Sequence, residues 1–382
     1  MWRALSLFKG PVRQMRSVST NSSLSKLSVA IRRTGSSDSS EHHAAVAGEL
    51  YNGRYRVLKK LGQGTRSTVW LVQDELNERL AAMKVLISED NGLDEARALR
   101  TLRSSDNNAS GYGYICHLID DFTHLGTNKN HLCIVLEPMG VSLLDVYTSL
   151  PQAFPLTLLK KLCVHILSAL QYMHDTCGII HTDLKPDNVM LTGNTVAMGE
   201  DVTLSYSELY NTTFKLGDFG QAVDASSHDH SMLVQPTKMR CPEVILGAEW
   251  GTKADIFNFA CMIYELARGA FLFDPFWQNE ETGMNPPQTH LAQMTGLLGN
   301  FPVSLVKRGT KSSRYFDESG HLKKGTGLYD ITLEDLLARA MHPEPAEDIT
   351  ALANFLQCGL IIDPEERWSA KRLLGHPWLR SV

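Results

Sequence analysis

Apolar and polar residues interleave over Tyr55-Arg56-Val57-Leu58-Lys59-Lys60-Leu61, which predicts a strand. Gly62-Gln63-Gly64-Thr65-Arg66-Ser67 then breaks the pattern as a turn, and Thr68-Val69-Trp70-Leu71-Val72 reads as a second strand. A third strand, Leu80–Leu86, carries a single Lys84 among apolar residues, and Asp94–Leu99 begins a helix. Residues 114–122 and 131–137 give two more strands, after which Glu137-Pro138-Met139-Gly140 interrupts the run. Beyond that point the period changes. Leu159, Leu162, Ile166, Leu170 and Met173 recur at helical spacing through 156–176. Two short apolar stretches, Ile179-Ile180 and Val189-Met190-Leu191, bracket the polar octapeptide His181–Asn188. Residues 193–213 are polar and read as an irregular, exposed insertion. Asp255–Ala267 is apolar nearly all round, which predicts a buried helix stopped by Gly269. Strands first and helices afterwards make an α+β fold.

The length, 382 residues, accommodates one large domain with two lobes or two domains, and 43% hydrophobic residues permit a sizeable core. Charge is unevenly distributed. Residues 1–37 hold seven basic residues and no acid, leaving 30 basic against 42 acidic residues in 38–382. Such an acidic body disfavours nucleic acid and weakly favours basic partners. The basic, Ser-rich segment 1–45 has the composition of an organelle transit peptide, and equally that of a disordered or phosphorylated arm. Seven Cys without a CxxC pair read as free thiols in a reducing compartment, with Cys133, Cys163 and Cys261 in apolar stretches. No apolar run approaches the ~20 residues of a membrane span.

The candidate chemistry sits in His181-Thr182-Asp183-Leu184-Lys185-Pro186-Asp187-Asn188. A loop between two short buried strands holds side chains still. Asp183 can accept the proton of an attacking hydroxyl, Lys185 can neutralise a moving phosphoryl group, and Asn188 can offer a neutral oxygen to a metal ion. Gly62 and Gly64 let backbone amides approach phosphate oxygens. Lys84 is costly to bury without a partner, and Glu95 is at hand on the following helix. Phe214-Lys215-Leu216-Gly217-Asp218-Phe219-Gly220 sets a metal-binding Asp after a strand.

Together these motifs resemble the eukaryotic protein kinases over roughly residues 55–380: the Gly-rich loop with Ser67 where a third Gly is usual, the catalytic loop, the Asp-Phe-Gly motif, and the closing signature Arg240-Cys241-Pro242-Glu243-Val244. The resemblance implies a two-lobe kinase fold, a small β-rich lobe at 55–137 and a larger helical lobe at 141–380, with ATP and Mg²⁺ between them. It implies Asp183 as base, Lys185 on the transferred phosphate, and Asn188 and Asp218 as metal ligands. Leu61, Gly62, Gln63, Gly64, Ser67 and Val69 would cover the nucleotide. Ala82 and Met190 would join Val69 around the adenine, Lys84 and Glu95 would position the α/β-phosphates, and Glu137 and Met139 would meet the adenine at the hinge. Leu136 would guard the back of that pocket, Asp255 would hold the catalytic-loop backbone, and the Arg of Asp363-Pro364-Glu365-Glu366-Arg367 would pair with Glu243. Asp-Leu-Lys-Pro looks like the Ser/Thr-directed version of the loop.

His181-Thr182-Asp183, Ala254-Asp255-Ile256-Phe257, Ala260-Cys261-Met262, Leu272-Phe273-Asp274-Pro275, His290-Leu291-Ala292 and His376-Pro377-Trp378-Leu379 narrow the match. They resemble the SR-protein kinases, which phosphorylate serine in Arg-Ser repeats of splicing factors, in a short, fungal-like form without the long spacer. That implies a protein substrate with a basic or Arg-Ser-rich segment, no direct nucleic acid or membrane partner, a monomer, and residence in cytoplasm and nucleus, or in mitochondria if 1–45 is a transit peptide. The acids expected before His290 are replaced by Asn285-Pro286-Pro287-Gln288-Thr289, leaving Glu280 and Glu281 nearby. Thr182 stands where an Arg usually answers an activation-segment phosphate, so the enzyme is expected to be active without that phosphate. Ser226, Ser227, Ser231 and Thr237 are phosphosite candidates by residue type alone. The alternatives are a pseudokinase scaffold, favoured by Ser67 and Thr182, and a small-molecule kinase, disfavoured by the closing signature.

Overall fold

The structure, a computed structural model, describes residues 45–87, 92–126, 129–150, 154–192, 205–277, 279–327, 331–339, 341 and 344–380. The basic segment 1–45, apart from Ala45, and residues 193–204 of the polar insertion lie outside them. The described residues fall into two compact units, one from those within 45–93 and 119–137, the other from those within 94–118 and 138–380.

The first unit is built on a sheet in the order β1-β2-β3-β4-β6-β5. Its strands are β1 (Leu50–Tyr51), β2 (Tyr55–Gln63), β3 (Ser67–Asp74), β4 (Arg79–Leu86), β5 (Leu118–Leu125) and β6 (Asn130–Leu136). The five strands expected from Tyr55 on are present, the fourth displaced from 114–122 to Leu118–Leu125 because Tyr112–Tyr114 forms a 3-10 turn, and order extends upstream of Tyr55. There Tyr51 is fully buried and packs with Ala45, Tyr55, Val57, Val72, Met83 and Val135 in one apolar cluster. Strand alternation sends Ala81, Met83 and Val85 into that core and turns Ala82 and Lys84 to the opposite face. Register places Val69 opposite Lys84 and Ala82 opposite Leu136. Asp74 anchors the far end of the sheet. It is fully buried and takes a bidentate pair from Arg54 at 2.7 and 2.8 Å, which holds its carboxyl well below the usual range despite burial.

The second unit begins with α1 (Leu93–Ser104) and continues through α2 (Leu143–Ser149) and α3 (Leu156–Gln171). The helical period expected over 156–176 is therefore split: α3 carries the α spacing and Tyr172–Thr176 forms a π turn. Short strands β7 (Ile179–Ile180), β8 (Val189–Leu191), β9 (Phe214–Leu216) and β10 (Val223–Asp224) make two antiparallel ladders, β8 with β9 and β7 with β10. Part of the stretch read as irregular is a helix, α4 (Tyr206–Asn211), closed by a capping box between Ser205 and Glu208. Then come α5 (Pro242–Leu246), α6 (Lys253–Arg268), α7 (Asn279–Thr282) and α8 (Pro286–Leu298). As expected, α6 is buried nearly throughout and ends at Gly269, whose φ of 80° is left-handed. Among the described residues no helix is long and apolar enough to cross a membrane, and all seven cysteines are free.

Candidate active site

The octapeptide leaves β7 and enters β8 through a single turn of 3-10 helix at Pro186–Asn188. The first residue of that loop is fixed from both sides. The ring of His181 accepts the Asp183 N–H at Nδ1 (3.2 Å), so Nε2 carries the proton that it gives to the Gly217 carbonyl (3.0 Å). Asp255, fully buried on α6, takes the backbone N–H of His181 at 2.8 Å and of Thr182 at 2.8 Å, with His174 Nε2 at 2.8 Å on the same carboxylate. Burial pushes the Asp255 pKa up. The His174 hydrogen bond and the backbone amide of His181 outweigh it, and the carboxyl lies below its ordinary value. Asn258, one turn further along α6, donates to the Leu184 carbonyl at 2.7 Å. Thr182 sits at φ 66°, an unusual conformation for a β-branched residue, and its hydroxyl donates to the Gln221 carbonyl at 2.7 Å.

This clamping leaves Asp183 at the loop's open side. Its Oδ2 takes Lys185 Nζ at 2.7 Å and Asn188 Nδ2 at 3.0 Å. Asn188 Nδ2 also donates to the Asp183 carbonyl at 2.8 Å, so the amide nitrogen is committed and Oδ1 is the atom left for a cation. The amide of Gly217 donates to the Asn188 carbonyl at 2.9 Å and thereby ties Asp218 to the same loop. Asp218 has φ 53°, and Phe219 is buried with its ring 5.5 Å from that of His181. A Cβ on Gly220 would stand 3.3 Å from Asp218 Oδ1 and 3.4 Å from Glu95 Oε2, so two carboxylates converge on one glycine. Among the described residues no cluster of three or more His, Cys, Asp or Glu side chains could hold a metal alone. One amide oxygen and one carboxylate suit Mg²⁺, which completes its shell with water and phosphate oxygens.

The segment from Asp218 to Glu243 closes on itself through Gln235, a residue at φ 73°. Its amide donates to the Ala254 carbonyl (2.8 Å) and accepts the Cys241 N–H (2.8 Å). Arg240 spans the same bend by donating to the carbonyls of Val234 and Gln235 at 2.8 and 2.9 Å. Glu243 meets Arg367 in a bidentate pair at 2.7 and 3.0 Å with both side chains fully buried, the pairing expected from sequence. A cavity of about 340 Å³ lined by Thr182, Asp183, Gln221 and Leu233–Thr237 opens onto the loop. Ser226 and Ser231 spend their hydroxyls on Asp224 and Asp229 at 2.6 and 2.8 Å.

Sequence reasoning missed Glu265. It is buried on α6, and Oε2 has no hydrogen-bond partner among the described residues. Burial first, and the charge of Asp187 next, push its pKa up to about 7 against the pull of Lys238. The only signal was a charged residue on the apolar helix. The acid-poor stretch has a local explanation: Asn285 and Gln288 form a capping box that starts α8, with Pro286 at its first turn.

In the first unit, Gly62 and Gly64 lie at the β2–β3 turn, closed by Gly64 N–H donating to the Ser67 carbonyl at 2.9 Å. A Cβ on Gly62 would meet nothing within 4 Å, and one on Gly64 only Ser67 at 3.8 Å. Folding therefore does not demand glycine at either position, whereas close approach of a phosphate does. Ser67, in the third glycine's place, is buried in β3. Leu61 and Gln63 are exposed on β2, and Val69, Ala82 and Lys84 share one sheet face. Glu137 directly follows β6. In the second unit Met139 precedes Gly140, whose N–H donates to the Leu191 carbonyl at 2.8 Å, and Met190 pairs with Lys215 and bridges to Ser142.

A loop of His-x-Asp-x-Lys-x-x-Asn clamped by an Asp on a buried helix, an Asp-Phe-Gly turn and a buried Glu–Arg pair define a protein kinase, and the protein kinase domain family matches residues 55–379. The chain belongs to that family. Its relatives include SR-protein kinases: it is 33% identical to the serine/threonine-protein kinase SRPK of Physarum polycephalum, over 89% of each chain. It is 28% identical to protein kinase dsk1 of Schizosaccharomyces pombe, over 89% of this chain and 83% of that one. With mouse SRSF protein kinase 3 the identity is 25% over 88% of each. A crystallised kinase domain superposes with TM-score 0.69 at 27% identity, covering 90% of this chain and all of the other.

Proposed function

We propose that this protein is a catalytically active serine/threonine kinase of the SR-protein-kinase type that phosphorylates serines in basic segments and needs no activation-segment phosphate. The observation that carries the reading is the Asp183 carboxylate, held by Lys185 and Asn188 at the mouth of a cavity. Asp183 orients the acceptor hydroxyl and takes its proton, and Lys185 neutralises the transferred phosphoryl group. Asn188 and Asp218 would hold Mg²⁺, which screens the phosphate charge. Lys84 and Glu95 are assigned to the α/β-phosphates, and Gly62 and Gly64 to the amides that cover them.

Two observations support the finer statements. Thr182 occupies the position of a phosphate-reading Arg, and its hydroxyl already ties the catalytic loop to Gln221. The segment is further held by hydrogen bonds that Gln235 and Arg240 donate to backbone carbonyls. Basic substrates are favoured by the buried, unpartnered Glu265 oxygen beside Asp187. The test is radiolabelled ATP with an arrayed peptide library, run before and after phosphatase treatment, with Asp183→Ala as control. Labelling of serine flanked by Arg or Lys that survives phosphatase is expected. Transfer no greater than that of the control would leave the scaffold reading, and loss on phosphatase treatment would remove the independence from phosphate.

A further inference from the structure

The segment following Asp218 carries His228-Asp229-His230, which packs on Trp250 in the loop after α5. The rings make different demands. Both nitrogens of His228 face backbone carbonyls, Nδ1 that of Asp224 at 3.0 Å and Nε2 that of Trp250 at 2.9 Å. A neutral imidazole has one N–H and donates once; only the imidazolium donates to both. His230 is opposite in character. Its Nδ1 accepts the Trp250 N–H at 3.3 Å, and its carbonyl takes the Trp250 indole N–H at 3.0 Å. A proton on Nδ1 of His230 would abolish the first of these bonds. The two rings are 4.4 Å apart, so a second positive charge there also meets repulsion.

We propose that His228 and His230 form a one-proton clamp, with His228 cationic and His230 neutral, that fastens the activation segment to Trp250. The charged surroundings agree with a single cation. Asp229 stands between the rings in sequence. Its carboxyl is held below the usual range chiefly by the Ser231 hydrogen bonds, so it is anionic beside His228. Asp224, at the head of the segment, is likewise held low by Ser226, and Glu249 adjoins Trp250 in sequence. Raising the pH strips the His228 proton and loses one of two carbonyl contacts. Lowering it adds the His230 proton and loses the Trp250 amide contact. The clamp is therefore tightest at intermediate pH, and because Leu233–Thr237 line the cavity beside Asp183, it bears on the order of that wall.

The clamp is tested by amide hydrogen exchange of peptides covering 224–250 in the full chain, corrected for the intrinsic rate, between about pH 5 and pH 8. Exchange slowest in mid-range and about fivefold faster at both ends is expected, the order of one net hydrogen bond. His228→Gln should remove the alkaline limb and His230→Gln the acid limb. A profile flat with pH in the wild type, or limbs unchanged in both variants, overturns the proposal. Imidazole ¹⁵N spectra give an independent reading at the mid-range pH. They should show both His228 nitrogens protonated and Nδ1 of His230 bare, and a neutral His228 or a charged His230 overturns it.

Discussion

At the scale of single residues, Thr182 and Glu265 depart furthest from what their neighbours would tolerate without compensation. Thr182 keeps a left-handed φ of 66° because its N–H is taken by Asp255 and its hydroxyl by the Gln221 carbonyl. Thr182→Val preserves shape and removes the second bond, so a loss of about 1 kcal/mol in stability is expected by denaturant titration. Thr182→Ser should recover most of it, and equal losses for Val and Ser would mean the hydroxyl is idle. Glu265 gives a pH signature. Its pKa is raised from 4.5 to about 7, chiefly by burial. The folded state thus prefers the protonated carboxyl, and that contribution to stability, full below 4.5, is lost as pH rises through about 7. Attraction for a substrate cation runs the other way and appears as the carboxyl ionises. kcat/KM on an Arg-flanked peptide should rise up to about tenfold from about pH 6 to pH 8, relative to a peptide with neutral flanks. Glu265→Gln should erase that difference, and an identical limb for both peptides would assign it to chemistry instead.

At the scale of elements, the buried Glu243–Arg367 pair links α5 to the segment after the long helix Ala346–Gly359. Arg367 spends its remaining donors on the carbonyls of Ile361, Lys253 and Ile362 and lies 5.0 Å from the Phe257 ring centre. Glu243→Gln or Arg367→Ala leaves an uncompensated buried charge or its empty seat, and about 3–5 kcal/mol should be lost in thermal or denaturant unfolding. Glu243→Leu with Arg367→Met removes both charges and should lose less than the sum of the single variants. This pair was legible in the sequence because each partner sits in a distinctive short motif, and so was the buried helix α6, whose apolar residues surround it. Other features were not. The two-residue strand β1 is too short for any period, and its Tyr51 is buried by tertiary packing alone. Helix α4 lay in a polar stretch whose only signal was Ser205-x-x-Glu208. The positive φ values of Thr182 and Gln235 accompany hydrogen bonds to partners distant in sequence, and His174 became a partner of Asp255 only through folding.

At the scale of the whole molecule, charge is the property that acts beyond contact distance. Residues 38–382 carry 30 basic against 42 acidic side chains, and on the proposed reading their long-range field is expected to attract a basic peptide. The Glu265–Asp187 pair acts at short range and, being partly buried, is screened less. Salt separates the two. Raising ionic strength from about 0.05 to about 0.5 M shortens the Debye length from about 14 Å to about 4 Å, which removes the diffuse field and leaves close contacts. KM for a basic peptide should therefore rise severalfold while kcat, which on the proposed reading depends on Asp183 and Lys185, stays level. If the diffuse field is the main source of attraction, Glu265→Gln will raise KM at both salt concentrations and keep the same salt-dependent ratio. A variant whose KM no longer responds to salt would place the entire preference for basic substrates in that one carboxylate and leave the acidic body without a part in recognition.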